Sequence, residues 1–359
     1  MRAQPVAAAW LRRCRVQHRH AAVRSTLTKR CLDCGDRYLE LREHHPRLRN
    51  LVGQHRLIRA GHDDDRVLAF RRHEDERSAS GQAHTSEMRG VDRIVGFSPS
   101  PRTRDRALAL GVIDAQAASA QDAAQGSDLV LIAVPVSRTT ECLQAIAAHL
   151  AADALLMDVG STKSDVVAAA RATLGERLPC FVPAHPIAGK AQAGVDHAEA
   201  NLYQQRRVIL TPLPETDPAR VLAAKQVWQE IGSHVSDMTP EKHDDTFAAV
   251  SHLPHLLAFA AVNALSQTPA DAATYLPMAG PGFRDFSRIA ASDPDVWRDI
   301  LSANRQEVIQ HTQRFRTALD ALTSAIERND LDLLRALIAH ASQIRSGWTL
   351  QAGDHADGD

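Results

Sequence analysis

The sequence predicts an α/β protein: a Rossmann-like parallel sheet followed by an all-α domain. Two observations predict this. Between Arg93 and Thr211, short apolar runs alternate with helical stretches, and beyond Asp217 the pattern turns nearly all helical. A third observation qualifies it. Ahead of Val91 neither a helical nor a strand period is sustained, so the first strand–helix unit of the sheet reads as missing. At 359 residues the chain is long enough for two domains.

The elements follow in order. Arg93 to Phe97 reads as a strand, and Arg102 to Leu110 as a helix closed by Gly111. Asp128 to Pro135 is the near-continuous apolar run of a strand covered on both faces. Thr139 to Leu150 is helical, Ala154 to Val159 a strand, and Lys163 to Leu174 a helix stopped by Gly175. Phe181 to Ala184 and Val208 to Thr211 read as further strands, and Pro240 to Gln267 as one long helical stretch. This gives an atypical segment 1–90, disordered or out of frame. An incomplete dinucleotide-binding domain follows at 91–214, then a helical dimerisation and substrate domain at 215–348 and a tail at 349–359. Ligands are expected at the carboxyl ends of the strands.

Composition excludes several classes. Lys and Arg total 42 against 43 Asp and Glu, so no basic surface recommends nucleic acid as a partner. No run of about 18 consecutive apolar residues recommends a membrane. Five cysteines without framework spacing fit a reducing compartment, and the expectation is a soluble cytoplasmic protein. The first segment is the odd one. It has no acidic residue before Asp33, which gives Met1 to Arg30 the look of an organellar presequence, although serine is sparse and Arg71-Arg72-His73 fits no such signal. Cys31 and Cys34 form a lone C-x-x-C with no partner pair at zinc spacing, and read as coincidental. A frame error or rearrangement upstream of Val91 accounts best for the segment.

A dinucleotide fold opens with a strand, then G-x-G-x-x-G, then a helix whose N-terminus holds the pyrophosphate. Residues 1–90 contain only Gly35, Gly53, Gly61, Gly81 and Gly90, no two of them two apart. Val67 to Phe70 passes for a strand, but Arg71-Arg72-His73-Glu74 follows where phosphate needs glycine. The second cofactor cue survives. After the strand ending Phe97-Ser98 come Arg102 and Arg104, with no carboxylate to repel a 2′-phosphate, so NADP stands beside NAD. The bland alternative is a solvated basic start to a helix. Ser98, Arg102, Val134, Pro135 and Ser161 are the cofactor-contact candidates.

Three distant segments carry chemistry. His185-Pro186-Ile187-Ala188-Gly189 sets a histidine just after a strand, where an imidazole with an ordinary pKa near 6.5 suits a general base. Gly160-Ser161-Thr162-Lys163 puts the Ser161 hydroxyl at a strand end, or alternatively at the N-cap of the next helix. Ser251-His252-Leu253-Pro254-His255 sets two histidines three apart on one helical face. No third ligand stands at a recognisable spacing, so no metal is expected. His243, earlier on that stretch, reads as structural or peripheral. In Gly280-Pro281-Gly282-Phe283-Arg284-Asp285-Phe286-Ser287-Arg288-Ile289-Ala290, a planar guanidinium can grip a carboxylate with two parallel bonds.

Together these segments resemble the prephenate/arogenate dehydrogenase family of tyrosine biosynthesis, over about residues 91–348. The resemblance implies that NAD or NADP takes a hydride from the carbinol carbon of prephenate or arogenate while carbon dioxide is lost. It also implies a helical half that dimerises and closes the active site. By the same resemblance His185 is the base, and Ser161 hydrogen-bonds near the substrate hydroxyl and the nicotinamide. Ser251, His252 and His255 line the substrate site, Arg288 anchors the ring carboxylate, and Asp285 orients it or gates the site. Many family members carry Glu two residues after H-P-x-A-G, where this chain has Ala191 and then Gln192, so a carboxylate latch there cannot form. Two alternatives stand: another hydroxyacid dehydrogenase, and an impaired dimeric remnant lacking the phosphate loop.

Overall fold

A computed structural model describes residues 66–71, 93–188, 194–267 and 269–349. Apart from one strand, the segment ahead of position 91 lies outside the described residues, as do Gly189, Ala191, Gln192 and the end of the tail. That strand is β1, Arg66–Arg71, which covers the Val67 to Phe70 run. After β2, Arg93–Phe97, comes helix α1, Pro101–Ala109. The Ser100 hydroxyl accepts from the Thr103 amide, and proline in the first turn sacrifices no hydrogen bond. The short β3, Ala115–Gln116, and α2, Ala120–Ala124, are too brief to leave a period in the sequence.

Strand β4, Leu129–Ala133, is buried at every residue. Helix α3, Thr139–Ile146, leads to β5, Leu155–Asp158, and then to α4, Ser164–Thr173. The run read as one strand over Phe181 to Ala184 breaks at Pro183 into β6, Phe181–Val182, and β7, Ala184–Pro186. The chain continues with β8, Arg207–Leu210, α5, Pro218–Glu230, and β9, His234–Asp237. Strand β9 is the element the helical pattern beyond Asp217 conceals: only its second residue is partly covered, so no apolar alternation marks it.

The larger sheet has the order β3-β2-β1-β4-β5-β6 of a dinucleotide fold. Pairs β2–β3, β4–β5 and β5–β6 run parallel. Of the first strand–helix unit, read as missing, the described residues include a strand. The central slot is filled, but β1 runs antiparallel to both neighbours, with Arg71 opposite Arg93 and Arg66 opposite Ala133. An empty slot would leave two rows of backbone donors and acceptors unpaired inside the sheet, and a strand of either direction satisfies them. The reversal brings the start of β1, not its end, to the carboxyl edge of β4. No strand–loop–helix unit therefore departs from β1 at that edge.

Alternate residues of β4 feed two cores. Leu129 and Leu131 pack with Met157 and Trp228, while Val130 and Ile132 pack with Leu143, Ile146, Leu156 and Phe181. A second sheet, β7-β8-β9, pairs β7 antiparallel and β9 parallel to β8.

The helical half begins with α6, Pro240–Phe247, capped by the Thr239 hydroxyl. A wide π-type turn, Ala248–His252, joins it without a break to α7, Leu253–Leu265. Pro254 has no amide to donate into the preceding turn, which gives a physical cause for the widening. Helices α8, Pro269–Tyr275, α9, Pro281–Ser287, α10, Pro294–Ala303, α11, Arg305–Glu327, and α12, Leu331–Ser346, complete the described chain. By length and composition the helix Pro240–Leu265 can cross a membrane, and only 17% of its most apolar stretch is buried within the chain. Leu319, Ile326, Leu331, Ile338 and Ile344 are likewise exposed on α11 and α12.

Candidate active site

The turn after β5 is held by one carboxylate. Asp158 accepts from the Gly160 amide at 2.8 Å, from the Ala184 amide of β7 at 3.1 Å, and from the Lys163 ammonium. Lys163 is wholly buried, so the pairing is what permits its charge there. A Cβ on Gly160 would lie 2.9 Å from Asp158 Oδ2, so a side chain at this position would displace the carboxylate. Ser161 is half-buried at the head of this turn, near the carboxyl edge of the sheet.

His185 sits within β7, opposite Ile209, rather than just after a strand. Its half-buried ring leans on His243 and Phe247, at centroid distances of 5.0 and 4.9 Å. His185 Nδ1 lies 2.8 Å from His243 Nε2, and His243 Nδ1 donates to Asp244 Oδ1 at 2.8 Å. Asp244 also accepts from the amides of Lys163 at 2.9 Å and Ser164 at 2.8 Å. It is therefore Asp244, not Ser161, that caps α4. His243, read from the sequence as structural or peripheral, is buried with its ring against the candidate base. The sequence held one signal for this: His243, Phe247 and Ser251 share a helical face at spacings of four.

Burial holds the His185 pKa well below the ordinary histidine value, with His243, Lys163 and His252 adding to the fall. Burial also lowers His243, outweighing the hydrogen bond to Asp244. At Asp244 burial acts upward, but the donors from His243, Ser164 and Lys163 win and its pKa falls. The cluster is thus two neutral imidazoles beside an ionised carboxylate. Burial brings His252 down to about 4. Asn304 Nδ2 donates to His252 Nδ1 at 3.1 Å and to the Asp244 carbonyl at 2.8 Å, tying α10's end to this network.

The second histidine of the pair is set differently. His255 stacks on Trp297 at 3.6 Å between centroids and donates from Nδ1 to the Ser251 carbonyl at 2.9 Å. Burial lowers its pKa, and the nearby Arg288 charge adds to that. Arg288 opens the short turn Arg288–Ala291 and forms no salt bridge among the described residues. Asp285 does not orient it: the carboxylate pairs with Arg284 at 2.9 Å, both exposed. Among the described residues, Asp245, Glu307 and His311 bring possible ligand atoms within 4.8 Å of one another, but Lys242 already supplies Asp245 with a cation.

The cofactor candidates divide into two places. Val134 and Pro135 follow β4 at the carboxyl edge, half-buried. Ser98 is 2% exposed, and its carbonyl accepts from the Arg104 guanidinium, which also lies 5.7 Å from the Phe97 ring centroid. Arg102 is exposed at the start of α1, on an open depression of about 960 Å³ shared with Thr103, Arg106, Asp196 and His197. The structure thus brings His185 near His243 and His252, with His255 next along the same helix, and leaves Asp285 at the surface.

Comparison with known proteins follows the same division. Residues 84–237 match a model described as prephenate dehydrogenase, nucleotide-binding domain, and residues 239–340 one described as its dimerization domain. The cyclohexadienyl dehydrogenase of Zymomonas mobilis is 36% identical over 241 residues, covering 66% of this chain and 81% of that protein. The chain belongs to the prephenate dehydrogenase family. The Bacillus subtilis prephenate dehydrogenase is 34% identical, over 72% of this chain and 70% of its own length. The Aquifex aeolicus prephenate dehydrogenase, solved in complex with hydroxyphenyl propionate and NAD+, is 35% identical with a TM-score of 0.65, covering 72% of this chain and 90% of that one. In this prephenate dehydrogenase family member the nucleotide-binding match starts only at residue 84, behind β1. The likeness thus ends where the sheet direction reverses.

Proposed function

We propose that this chain is an NAD(P)-dependent dehydrogenase that oxidatively decarboxylates prephenate, or its amino counterpart arogenate. One observation carries the reading: a partly buried histidine in β7 that pairs through Nδ1 with His243 and is held below the ordinary histidine pKa by burial. A histidine held unprotonated is ready to take a proton at neutral pH. The nicotinamide, when bound, accepts the hydride. His185 takes the hydroxyl proton of the ring carbinol as that hydride leaves. The bond from the ring to its carboxylate then breaks, carbon dioxide departs, and the electron pair makes the ring aromatic. His185 returns the proton to the phenolate oxygen. Ser161 donates to the same oxygen.

Arg288 holds the ring carboxylate, and His255, stacked on Trp297, meets the substrate side chain with Ser251 and His252 behind it. Both ends of the dinucleotide find suitable residues. Val134, Pro135 and Ser161 suit the nicotinamide, while Ser98, Arg102 and Arg104 suit the adenosine ribose with or without a 2′-phosphate. For the pyrophosphate the described residues offer no glycine loop. The α/β half through β9 takes the nucleotide, and the helical half takes the substrate and pairs with a second copy. That pairing covers the apolar surface of Pro240–Leu265, α11 and α12. His243, Asp244 and His252, buried in a hydrogen-bonded network on this helix, favour a protein partner over lipid, and a cytoplasmic enzyme.

Purified chain supplied with prephenate or arogenate and either nucleotide tests this directly. Formation of reduced nicotinamide with matching release of carbon dioxide supports the reading. Oxidation of an unrelated hydroxyacid without decarboxylation would replace it. Light scattering should give twice the chain mass.

A further inference from the structure

The catalytic role given to His185 leaves open which ring nitrogen carries its proton. An imidazole offers one acceptor and one donor, and only the bare nitrogen can act as a base. The chain of contacts behind the ring decides this, starting from Asp244. An ionised carboxylate only accepts, so His243 Nδ1 must carry the proton that reaches Asp244 Oδ1 at 2.8 Å. Neutral His243 then has a bare Nε2. That nitrogen lies 2.8 Å from His185 Nδ1, which must therefore donate to it. The remaining nitrogen of His185, Nε2, is left bare.

We infer that His243 and Asp244 form a positioning relay that fixes His185 in the Nδ1–H tautomer and steadies the imidazolium formed when Nε2 takes the substrate proton. The inference rests on the dehydrogenase reading for its consequence, not for its geometry. Asp244 is itself fixed by the Lys163 and Ser164 amides, so the relay is anchored in the N-terminus of α4. Phe247 packs against both rings and keeps them tilted rather than stacked. The charged and titratable groups facing the pair are Asp244, Lys163 with its partner Asp158, and His252. Lys163 opposes a positive charge on His185, which is why a carboxylate behind His243 matters.

The experiment uses the full chain with histidine nitrogens labelled, and reads ring tautomers by long-range proton–nitrogen correlation. His185 is identified by its loss from the spectrum in His185→Asn. Wild type should give His185 protonated at Nδ1, and His243→Leu should shift it toward Nε2–H. His243→Gln, which keeps an acceptor oxygen, should restore Nδ1–H. This readout needs neither substrate nor nucleotide, so it stands apart from failure of the dehydrogenase reading. In turnover, His243→Leu should lower kcat by on the order of 10²-fold with KM for prephenate within about threefold. The acid limb should move to lower pH, because the imidazolium has lost its acceptor. His243→Gln should recover much of the rate. Nε2–H in the wild type, or an unmoved tautomer in His243→Leu, would overturn the relay. Equal loss in His243→Leu and His243→Gln would reduce His243 to packing.

Discussion

The two ends of the nucleotide crevice are built on opposite principles. At the nicotinamide end, His185, His243, Asp244, Lys163 and His252 come from β7, α6, the turn after β5 and the π-type turn. They are joined by side-chain bonds across long stretches of sequence. At the pyrophosphate end everything would depend on one contiguous strand–loop–helix unit, and there β1 runs the wrong way. A site assembled from dispersed residues survives damage to one segment of chain. A site made of one segment does not.

The largest effect expected from breaking the intact end is at His185. His185→Asn should lower kcat by about 10²–10⁴-fold with little change in KM, as loss of a general base does. Steady-state kinetics checks this, and an unchanged kcat would remove His185 from the chemistry. The pyrophosphate end should be next in size. A pyrophosphate lacking two charge-assisted hydrogen bonds loses about 1.5–3 kcal/mol for each. Calorimetry should therefore find NAD binding about 10²–10⁴-fold weaker than in the Aquifex aeolicus relative. Micromolar binding would reveal a phosphate site elsewhere.

Arg288→Ala should raise KM for prephenate by about 10- to 100-fold, the worth of one charge-assisted carboxylate contact, and change kcat less. A wild-type KM would detach Arg288 from the substrate. The smallest effect concerns stability. His252 falls to about 4 in the folded chain from an ordinary 6.5, so the unfolded chain binds the proton first as the pH drops. Its contribution is complete above about pH 6.5 and is lost as the pH falls from there towards 4. His252→Gln should flatten the fall of Tm across that window, and an identical slope would exclude the linkage.

Much of the fold was legible because it is periodic. The alternation from β2 to β8 is present apart from the break at Pro183 and the brief β3 and α2, and the stretch read as helical over 240–267 is helical to Leu265, since buried strands and helices impose periods on their apolar residues. Strand β9 and the direction of β1 were not legible. The first has almost no buried face, and pairing direction leaves no mark on a single strand's pattern. At the site, the motifs around His185 and Ser161 make them candidates from local sequence alone. The His185–His243 contact is not legible, because it joins residues 58 apart in sequence, which no local spacing records. The pairing of Asp285 with its neighbour Arg284 is not legible either, because a lone carboxylate between Arg284 and Arg288 leaves its partner open in the sequence.

The comparison of the two ends is tested most directly by replacing residues 1–90 with the strand–glycine loop–helix unit of a family member and measuring kcat and KM for NAD in both chains. A complete catalytic end with a deficient phosphate end predicts that KM for NAD falls by about 10²–10⁴-fold while kcat changes by no more than about threefold. A kcat that rises with the graft as steeply as KM falls would contradict it. The His185 cluster of this chain would then be incomplete without the grafted unit.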